Sequence, residues 1–273
     1  MELNPNYGIE LNYFINRIGL KKSVELVAKA GFKNLDYTPK IIEDGWKDEM
    51  KEAVKIFNDY NLTVHQTHMP FNRYGRHGDK HKLYMDRCAE ATELMGAKFA
   101  VVHGDEFDFE NLTFTPERAL EYNHEYFLPY VERAQKNGYK IAFETVFEDW
   151  DRRRFTSDEK ELKALILSYN SQASVCCWDF GHGNVSYWGR AADIIRDFGS
   201  LVQCTHVHDN TGMDSHQMPL SGDLNWSKII GAFKDIGYDG VMNIEYSHGN
   251  YPEHLTGEFL DLTYKALKYV CSL

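Results

Sequence analysis

The stretch ELMGAKFAVVHG (residues 93–104) passes from helix-forming residues through one glycine into a short apolar run that ends near a histidine. Gly96 suits the left-handed backbone position that closes a helix, where a larger residue would be strained. The same order of features recurs in VAKAGFKNLDY (27–37), AQKNGYKIAFE (134–144) and KDIGYDGVMNIE (234–245). Junctions that repeat in this way indicate a repeated βα unit.

The segments between these junctions alternate between helix and strand patterns. Leu20, Val24 and Val27 follow helical spacing, which gives that helix one apolar face. Eight βα units with right-handed crossovers close into a parallel barrel; an open doubly wound sheet is the less favoured alternative. Strands are predicted at about 7–11, 33–38, 62–68, 98–104, 139–145, 174–180, 202–208 and 240–246, and helices at about 20–30, 46–60, 79–96, 115–137, 157–170, 188–199, 225–236 and 256–271.

The composition is that of a globular protein with an acidic surface. Of 273 residues, 43% are hydrophobic, and the net charge of -11 disfavours a nucleic-acid partner because phosphates need a basic surface. The start MELNPNYGIE has no basic segment before an apolar run, and no apolar stretch has the length of a membrane span, so we expect a cytoplasmic protein. Five cysteines without a C-x-x-C pair suit reduced, buried thiols.

No linker or change in composition marks a second domain. We therefore expect residues 1–273 to form one (β/α)8 TIM barrel domain of the α/β class. The oligomeric state is left open, with a homo-oligomer allowed.

Ionisable side chains stand where seven of the predicted strands end. The residues are Asp36, His68, His103, Glu144, Asp179, His206 with His208, and Glu245. The carboxyl ends of barrel strands meet at one mouth, where active sites form. A hydrogen-bonded or solvated group is the plainer interpretation of each residue alone, but the whole set favours a site.

The converging residues have the chemistry of a divalent-metal site. Two glutamates, one aspartate and one histidine suit Mn²⁺, Mg²⁺, Co²⁺ or Zn²⁺, and the predicted rim has no thiolate. A cation also offsets the repulsion between neighbouring carboxylates. His182 lies three residues after Asp179 in a predicted loop, and Asp214 and His216 lie in the loop after the seventh strand. Each of these three could bind a further metal, contact a substrate hydroxyl or belong to a polar loop surface.

Five short motifs together resemble, in order and spacing, the xylose-isomerase-like barrel superfamily, which includes sugar-phosphate isomerases and epimerases and the family 2 apurinic endonucleases. The motifs are IAFET with Glu144, WDFGH with Asp179 and His182, THVHDN with His206, LSGDLNW at the start of a helix, and NIEY with Glu245. The match runs from GIELNY to the last helix. The resemblance implies a (β/α)8 barrel whose metal is held by Glu144, Asp179, His206 and Glu245.

The resemblance implies different chemistry in two branches of the superfamily. In the sugar epimerase branch, the residues matching Glu144 and Glu245 form the acid/base pair, and the residue matching His182 contacts a substrate oxygen. Those epimerases usually carry an arginine soon after the strand-seven histidine, and HVHDNTGMDSH (206–216) has none. The endonuclease branch has a three-zinc site, and all of its matching positions hold ligating residue types here: His68, His103, Glu144, Asp179, His182, His206, Asp214, His216 and Glu245.

Further substrate contacts are predicted from aromatic and basic residues near the rim. Aromatic faces suit the C–H faces of a sugar, although core packing is the commoner role of such residues. Basic side chains could bind a phosphate or a sugar-acid carboxylate, with pairing to nearby aspartates as the alternative. The aromatic candidates are Phe147, Trp150, Trp178 and Trp188, and the basic ones are Arg73, Arg76, Lys80 and Arg152–Arg154.

These patterns predict an enzyme that acts on a small carbohydrate. The favoured function is a divalent-metal-dependent isomerase or epimerase of a sugar, sugar phosphate or related polyol or keto sugar, in which Glu144 or Glu245 moves a proton through a metal-stabilised enediolate. A metal-dependent lyase or dehydratase on a keto sugar or cyclitol is the first alternative. A zinc-dependent apurinic-site endonuclease and a non-catalytic sugar-binding barrel follow it.

Overall fold

The computed structural model describes residues 3, 5–71, 78–108, 115–148, 152–246 and 251–273. The strands are β1 (Asn6–Glu10), β2 (Asn34–Asp36), β3 (Thr63–His68), β4 (Phe99–Val102), β5 (Glu106–Asp108), β6 (Lys140–Glu144), β7 (Arg152–Arg154), β8 (Ser174–Asp179), β9 (Val202–His206) and β10 (Val241–Ile244). The main feature of the fold is a ring of eight parallel strands in the order β10-β1-β2-β3-β4-β6-β8-β9.

Hydrogen bonds just beyond the two end strands close the ring. The N–H of Val207 donates to the carbonyl of Asn243 over 2.7 Å, and the N–H of Glu245 donates to the carbonyl of Val207 over 3.3 Å. The predicted (β/α)8 TIM barrel is therefore confirmed over the open doubly wound sheet.

Helices follow the barrel strands and cover the outside of the ring. They are α1 (Asn12–Ile18), α2 (Leu20–Ala30), α3 (Trp46–Asp59), α4 (Asp79–Met95), α5 (Pro116–Asn137), α6 (Glu159–Ser168), α7 (Phe180–Tyr187), α8 (Ala191–Phe198), α9 (Trp226–Asp235) and α10 (Thr256–Ser272). Within the described ranges, none of these helices has the length and apolar character needed to cross a membrane.

The glycines predicted to close helices have the left-handed backbone that this role requires. Gly31, Gly96, Gly138 and Gly237 have φ angles of 112°, 68°, 82° and 68°. An L-residue is strained in this region, whereas glycine is not. The predicted helix–glycine–strand junction is thus confirmed: the glycine ends the helix and lets the chain turn back into the next strand of the barrel.

Successive side chains of β8 point alternately into the barrel and towards the surrounding helices. Val175 and Cys177 belong to a small apolar cluster inside the barrel, and Asp179 stands above them at its mouth. Cys176 and Trp178 point the other way, into the large core between strands and helices. The two adjacent cysteines therefore face opposite sides, as predicted, and all five cysteines are buried with free thiols.

Three parts of the fold differ from the sequence prediction. The segment after Asp179 was predicted as a loop but forms α7, although FGHGNVSY is rich in residues that disfavour helix. The carboxylate of Asp179 accepts the backbone N–H of His182 over 2.6 Å, and this cap, together with burial, offsets the poor propensity. The short helix α1 and the antiparallel pair formed by β5 and β7 were also not predicted.

His65 is a buried histidine of β3. Its exposed fraction is 6%, its Nε2 has no hydrogen-bonding partner among the described residues, and its ring lies 5.2 Å from that of Phe99. Burial lowers the pKa of His65 to about 4, and the nearby charge of Lys98 lowers it further in the same direction. The folded protein therefore keeps this imidazole neutral at pH values where the unfolded chain protonates it.

We predict that His65→Gln weakens acid destabilisation. The folded pKa lies below the unfolded value of 6.5, so stability is complete above pH 6.5 and is lost as the pH falls towards 4. The loss from this residue reaches about 3 kcal/mol. Urea unfolding of both metal-free proteins at several pH values measures it; parallel pH profiles for wild type and variant would contradict the prediction.

Candidate metal and active site

The carboxylate of Glu144 is the point at which the strand-end residues meet. Its Oε2 lies 3.1 Å from Nε2 of His103 and 3.3 Å from Nε2 of His68. Its Oε1 lies 3.1 Å from Nδ1 of His206 and 3.4 Å from Nδ1 of His182. Histidines from four different segments thus surround one buried carboxylate, and the structure brings together the residues that the strand-end pattern grouped.

Four residues, which we call the main set, could hold a cation. The main set is Glu144, Asp179, His206 and Glu245, and one ligand atom from each lies within 4.8 Å of the others. Nδ1 of His206 and Oε2 of Glu245 are buried, 3.4 Å apart, and neither has a hydrogen-bonding partner of acceptable geometry among the described residues. Buried polar atoms without partners are costly, so these converging lone pairs fit a divalent ion.

Asp36 orients His206 within the main set. Its Oδ2 lies 3.1 Å from Nε2 of His206 and accepts a hydrogen bond from the side-chain amide of Gln66 over 3.0 Å. A proton on Nε2 of His206 leaves the lone pair of Nδ1 directed at Glu144 and Glu245. A carboxylate behind a histidine ligand is a recurring feature of metal sites, where it sets both the tautomer and the ring orientation.

The charges around Glu144 favour its ionised form. Burial alone would raise the pKa of Glu144, but the imidazoles of His206 and His103 outweigh it and hold the pKa well below its usual range. Burial likewise opposes a proton on His206, but Glu245 and Glu144 raise its pKa well above the usual value. Carboxylates that favour a proton on His206 also favour a cation beside it.

Four further residues, which we call the second cluster, lie beside the main set. The second cluster is His182, His208, Asp214 and His216, again with ligand atoms within 4.8 Å. Oδ1 of Asp214 lies 3.2 Å from Nε2 of His216 and 3.7 Å from Nε2 of His182. Nδ1 of His182 lies 2.9 Å from the carbonyl of Thr145; donation there leaves Nε2 directed at Asp214. The geometry suits a second cation or a substrate hydroxyl.

His208 connects the two groups. Its Nε2 lies 2.9 and 3.1 Å from the two oxygens of Asp179, and its ring stacks on that of His216 at a centroid distance of 4.0 Å. The ring also lies against Gly181, where a Cβ would come within 1.9 Å of it. The ring is therefore held between a glycine and a second-cluster histidine while it holds a main-set carboxylate.

A family model described as xylose isomerase-like TIM barrel matches residues 24–266. The chain belongs to this family. A curated relative, an uncharacterized protein of Methanocaldococcus jannaschii, is 29% identical over 119 residues, which are 42% of this chain and 39% of that protein's length.

Solved structures share the whole barrel at low sequence identity. A 3-keto-D-glucoside 4-epimerase from E. coli has a TM-score of 0.76 at 14% identity and covers 99% of this chain and 100% of its own. D-psicose 3-epimerase from Clostridium cellulolyticum H10 has a TM-score of 0.76 at 17% identity, with 98% and 100% covered. A xylose isomerase domain protein from Alicyclobacillus acidocaldarius has a TM-score of 0.75 at 16% identity, with 98% of each chain covered. These likenesses establish the fold.

In this xylose isomerase-like barrel, the strand-end analysis missed Glu10. It is the last residue of β1, is partly buried, and accepts the backbone N–H of Tyr13 over 2.9 Å. Burial raises the pKa of Glu10 well above its usual range, and the charge of Asp36 adds to the effect. The motif GIELNY could have identified Glu10, because this glutamate stands at the end of the first predicted strand just as Glu144 stands at the end of the fifth.

The aromatic residues predicted to contact a substrate lie in different environments. Trp178 is completely buried in the outer core and packs near Tyr187, so the prediction that it lines the mouth is wrong. Because successive side chains of a strand point to opposite faces, Trp178 points outwards where Asp179 points to the mouth. Trp188 is 66% exposed after α7, and the ring of Phe147 lies 5.3 Å from that of His182. Trp150 lies outside the described residues.

The basic candidates do not contact the main set in the described part of the chain. Arg153 pairs with Glu161, and Arg154 pairs with Glu106 over 3.1 Å while its guanidinium lies 4.4 Å from the centre of the Phe147 ring. Lys80 is exposed in the first turn of α4. Arg73, Arg76 and the side chain of Arg152 lie outside the described residues.

We predict that Asp36→Asn weakens binding of the main-set cation. The variant alters the group that fixes the tautomer of His206, and such changes cost about 10- to 100-fold in metal affinity. Competition with a chromogenic chelator measures the affinity, and Asp59→Asn, an exposed change of the same charge, is the control. Equal affinity in wild type and Asp36→Asn would refute the orienting role.

Proposed function

We propose that this protein is a divalent-metal-dependent isomerase or epimerase of a sugar or sugar derivative. The observation that carries the proposal is that Glu144 and Glu245, from different strands, approach the same Nδ1 of His206 at 3.1 and 3.4 Å. Two carboxylates around one cation position are what proton transfer on a chelated substrate needs. Structural neighbours named as D-psicose 3-epimerase and 3-keto-D-glucoside 4-epimerase support carbohydrate chemistry.

The difficult step of such a reaction is the removal of a proton from a carbon beside a carbonyl. A divalent ion held by the main set would supply positive charge against the negative charge that develops on the substrate oxygens. The carboxylates of the chain take up and return the proton. Glu245 keeps 21% of its side chain exposed, whereas Glu144 keeps 1%, so Glu245 is the more accessible of the two from the mouth.

The two carboxylates also account for a change of stereochemistry. If one takes the proton from one face of the sugar and the other delivers a proton to the opposite face, the carbon is inverted; return by the same group to a neighbouring carbon is isomerisation. His182 directs Nε2 away from the carbonyl of Thr145, and we assign it to a substrate oxygen. We also assign Phe147, whose ring lies beside that of His182, and Trp188, whose indole lies beside Gly212, to the C–H faces of the sugar.

We predict that Glu144→Gln and Glu245→Gln each abolish turnover while leaving the fold intact. Loss of acid/base catalysis costs about 10²- to 10⁴-fold, and weaker cation binding adds to it. Exchange of the carbon-bound proton with solvent deuterium, followed by NMR on a panel of ketoses and ketose phosphates, measures the effect. Glu258→Gln, an exposed change on α10, is the matched control; full exchange in both site variants would reject the mechanism.

The second cluster favours a second candidate function, zinc-dependent hydrolysis of a phosphodiester at abasic DNA. The second cluster, and His68 with Glu144 and His206, are further groups beside the main set whose ligand atoms lie close enough together to hold an ion. Several close cations stabilise the attacking and leaving oxygens of phosphoryl transfer. The net charge of -11 weighs against a DNA substrate.

Metal counting and one cleavage assay separate these two functions. For the isomerase or epimerase we expect proton exchange on a ketose and no incision of a duplex that contains an abasic site. Mass spectrometry of the native protein counts the bound ions. Incision that depends on three zinc ions, without any sugar turnover, would replace the first proposal by the second.

A further inference from the structure

The loop between β9 and α9 is shaped around one buried carboxylate. Asp209 is completely buried, and its Oδ1 accepts the backbone N–H groups of Asn210 over 2.9 Å and Leu224 over 3.2 Å. Its Oδ2 accepts the N–H of Leu220 over 3.0 Å and the indole N–H of Trp226 over 3.0 Å. These donors come from both ends of the loop, so the carboxylate fixes where the chain leaves the barrel and where it returns.

The backbone of the same residue fixes the middle of the loop. The N–H and carbonyl of Asp209 exchange two hydrogen bonds of 2.8 Å with Gln217. This places His216, whose φ of 41° is unusual for a residue with a side chain, directly beside the base of the loop. Asp214 and His216 therefore project from a segment that Asp209 holds through both its backbone and its side chain.

Asn210 joins this loop to the helix that carries the other second-cluster residue. Its amide nitrogen donates to the carbonyl of Gly181 over 2.8 Å, and its amide oxygen accepts from Asn184 over 2.9 Å. Both partners lie on α7, as does His182. The separation between His182 and the pair Asp214 and His216 is thus set by adjacent buried residues that do not belong to the second cluster.

We propose that Asp209 is the positioning residue of the second cluster, with Asn210 setting the loop against α7. The inference rests on the second candidate function above, in which the second cluster binds a cation. The described partners of the Asp209 carboxylate are three backbone N–H groups and the indole of Trp226, so it acts on the second cluster through the course of the loop. Without it, Asp214 and His216 lose their fixed distance from His182.

Only a carboxylate meets this requirement. Each oxygen of Asp209 accepts two N–H donors, and an asparagine would turn an amide nitrogen, itself a donor, towards one of these pairs. Gly222 packs directly against this carboxylate. A Cβ at Gly222 would lie 2.3 Å from Oδ1 of Asp209 and 2.2 Å from the carbonyl of Asn210. Asp209→Asn and Gly222→Ala therefore disturb one structure in independent ways.

Titration of the metal-free protein with Co²⁺, followed by its visible absorption and by native mass spectrometry, tests the proposal. We expect wild type to bind an ion at the main set and at least one more, and Asp209→Asn and Gly222→Ala to keep the first ion but bind the next at least tenfold more weakly. Asp239→Asn, an exposed loss of the same charge, should match wild type. Unchanged binding of all ions in both site variants would overturn the positioning role.

A wild-type protein that binds one ion would refute the second cation and not the shaping of the loop. Hydrogen exchange then decides the role of Asp209. Faster exchange across residues 210–224 in Asp209→Asn or Gly222→Ala, with β9 unchanged, supports it, and exchange equal to wild type in both variants overturns it. Binding of the first ion serves as the folding control. A variant that failed to fold would lose the main-set ion as well, so a variant that keeps it is folded.

Discussion

The site depends on the ionised carboxylate of Glu144 among its imidazoles. Burial penalises this charge, and the surrounding histidines from β3, the end of β4, α7 and β9 outweigh the penalty. Each of these imidazoles can reach the carboxylate only because its strand or helix ends at the same mouth of the barrel. The regular closure of the ring, the alternation of side chains and the electrostatics of the site are therefore parts of one arrangement.

The fold was predictable because its determinants are local and repeated. A glycine that closes a helix and an apolar run of strand length can both be found without knowledge of distant residues, and an ionisable group at the end of each run follows the same register. Asp36, Glu144 and His206 were grouped for that reason. Their mutual contacts could not be predicted in detail, because each side chain is oriented by partners that carry no sequence pattern, such as Gln66, which donates to the carboxylate of Asp36.

The elements that were missed depend on tertiary contacts. The sequence of α7 disfavours a helix, and only the cap from Asp179 and the buried position of the segment make one favourable. Trp178 is adjacent to Asp179 in β8 and therefore points to the opposite face, away from the mouth. Its direction follows from its position in the strand, and its hydrophobicity gave no indication of it. The role of Asp209 was hidden because its partners Leu220, Leu224 and Trp226 are ordinary residues whose N–H groups happen to converge.

The direct passage from β8 into α7 makes Asp179 serve several structures at once. Its Oδ1 accepts the N–H of His182 in the first turn of the helix and also faces Nε2 of His208, while the carboxylate as a whole faces the main set. There is no linker in which a change at this point could be absorbed. Removing the Asp179 carboxylate would therefore release the start of α7 and the ring of His208 together. Because His182 and His208 both belong to the second cluster, a change at Asp179 would alter both groups of ligands at once.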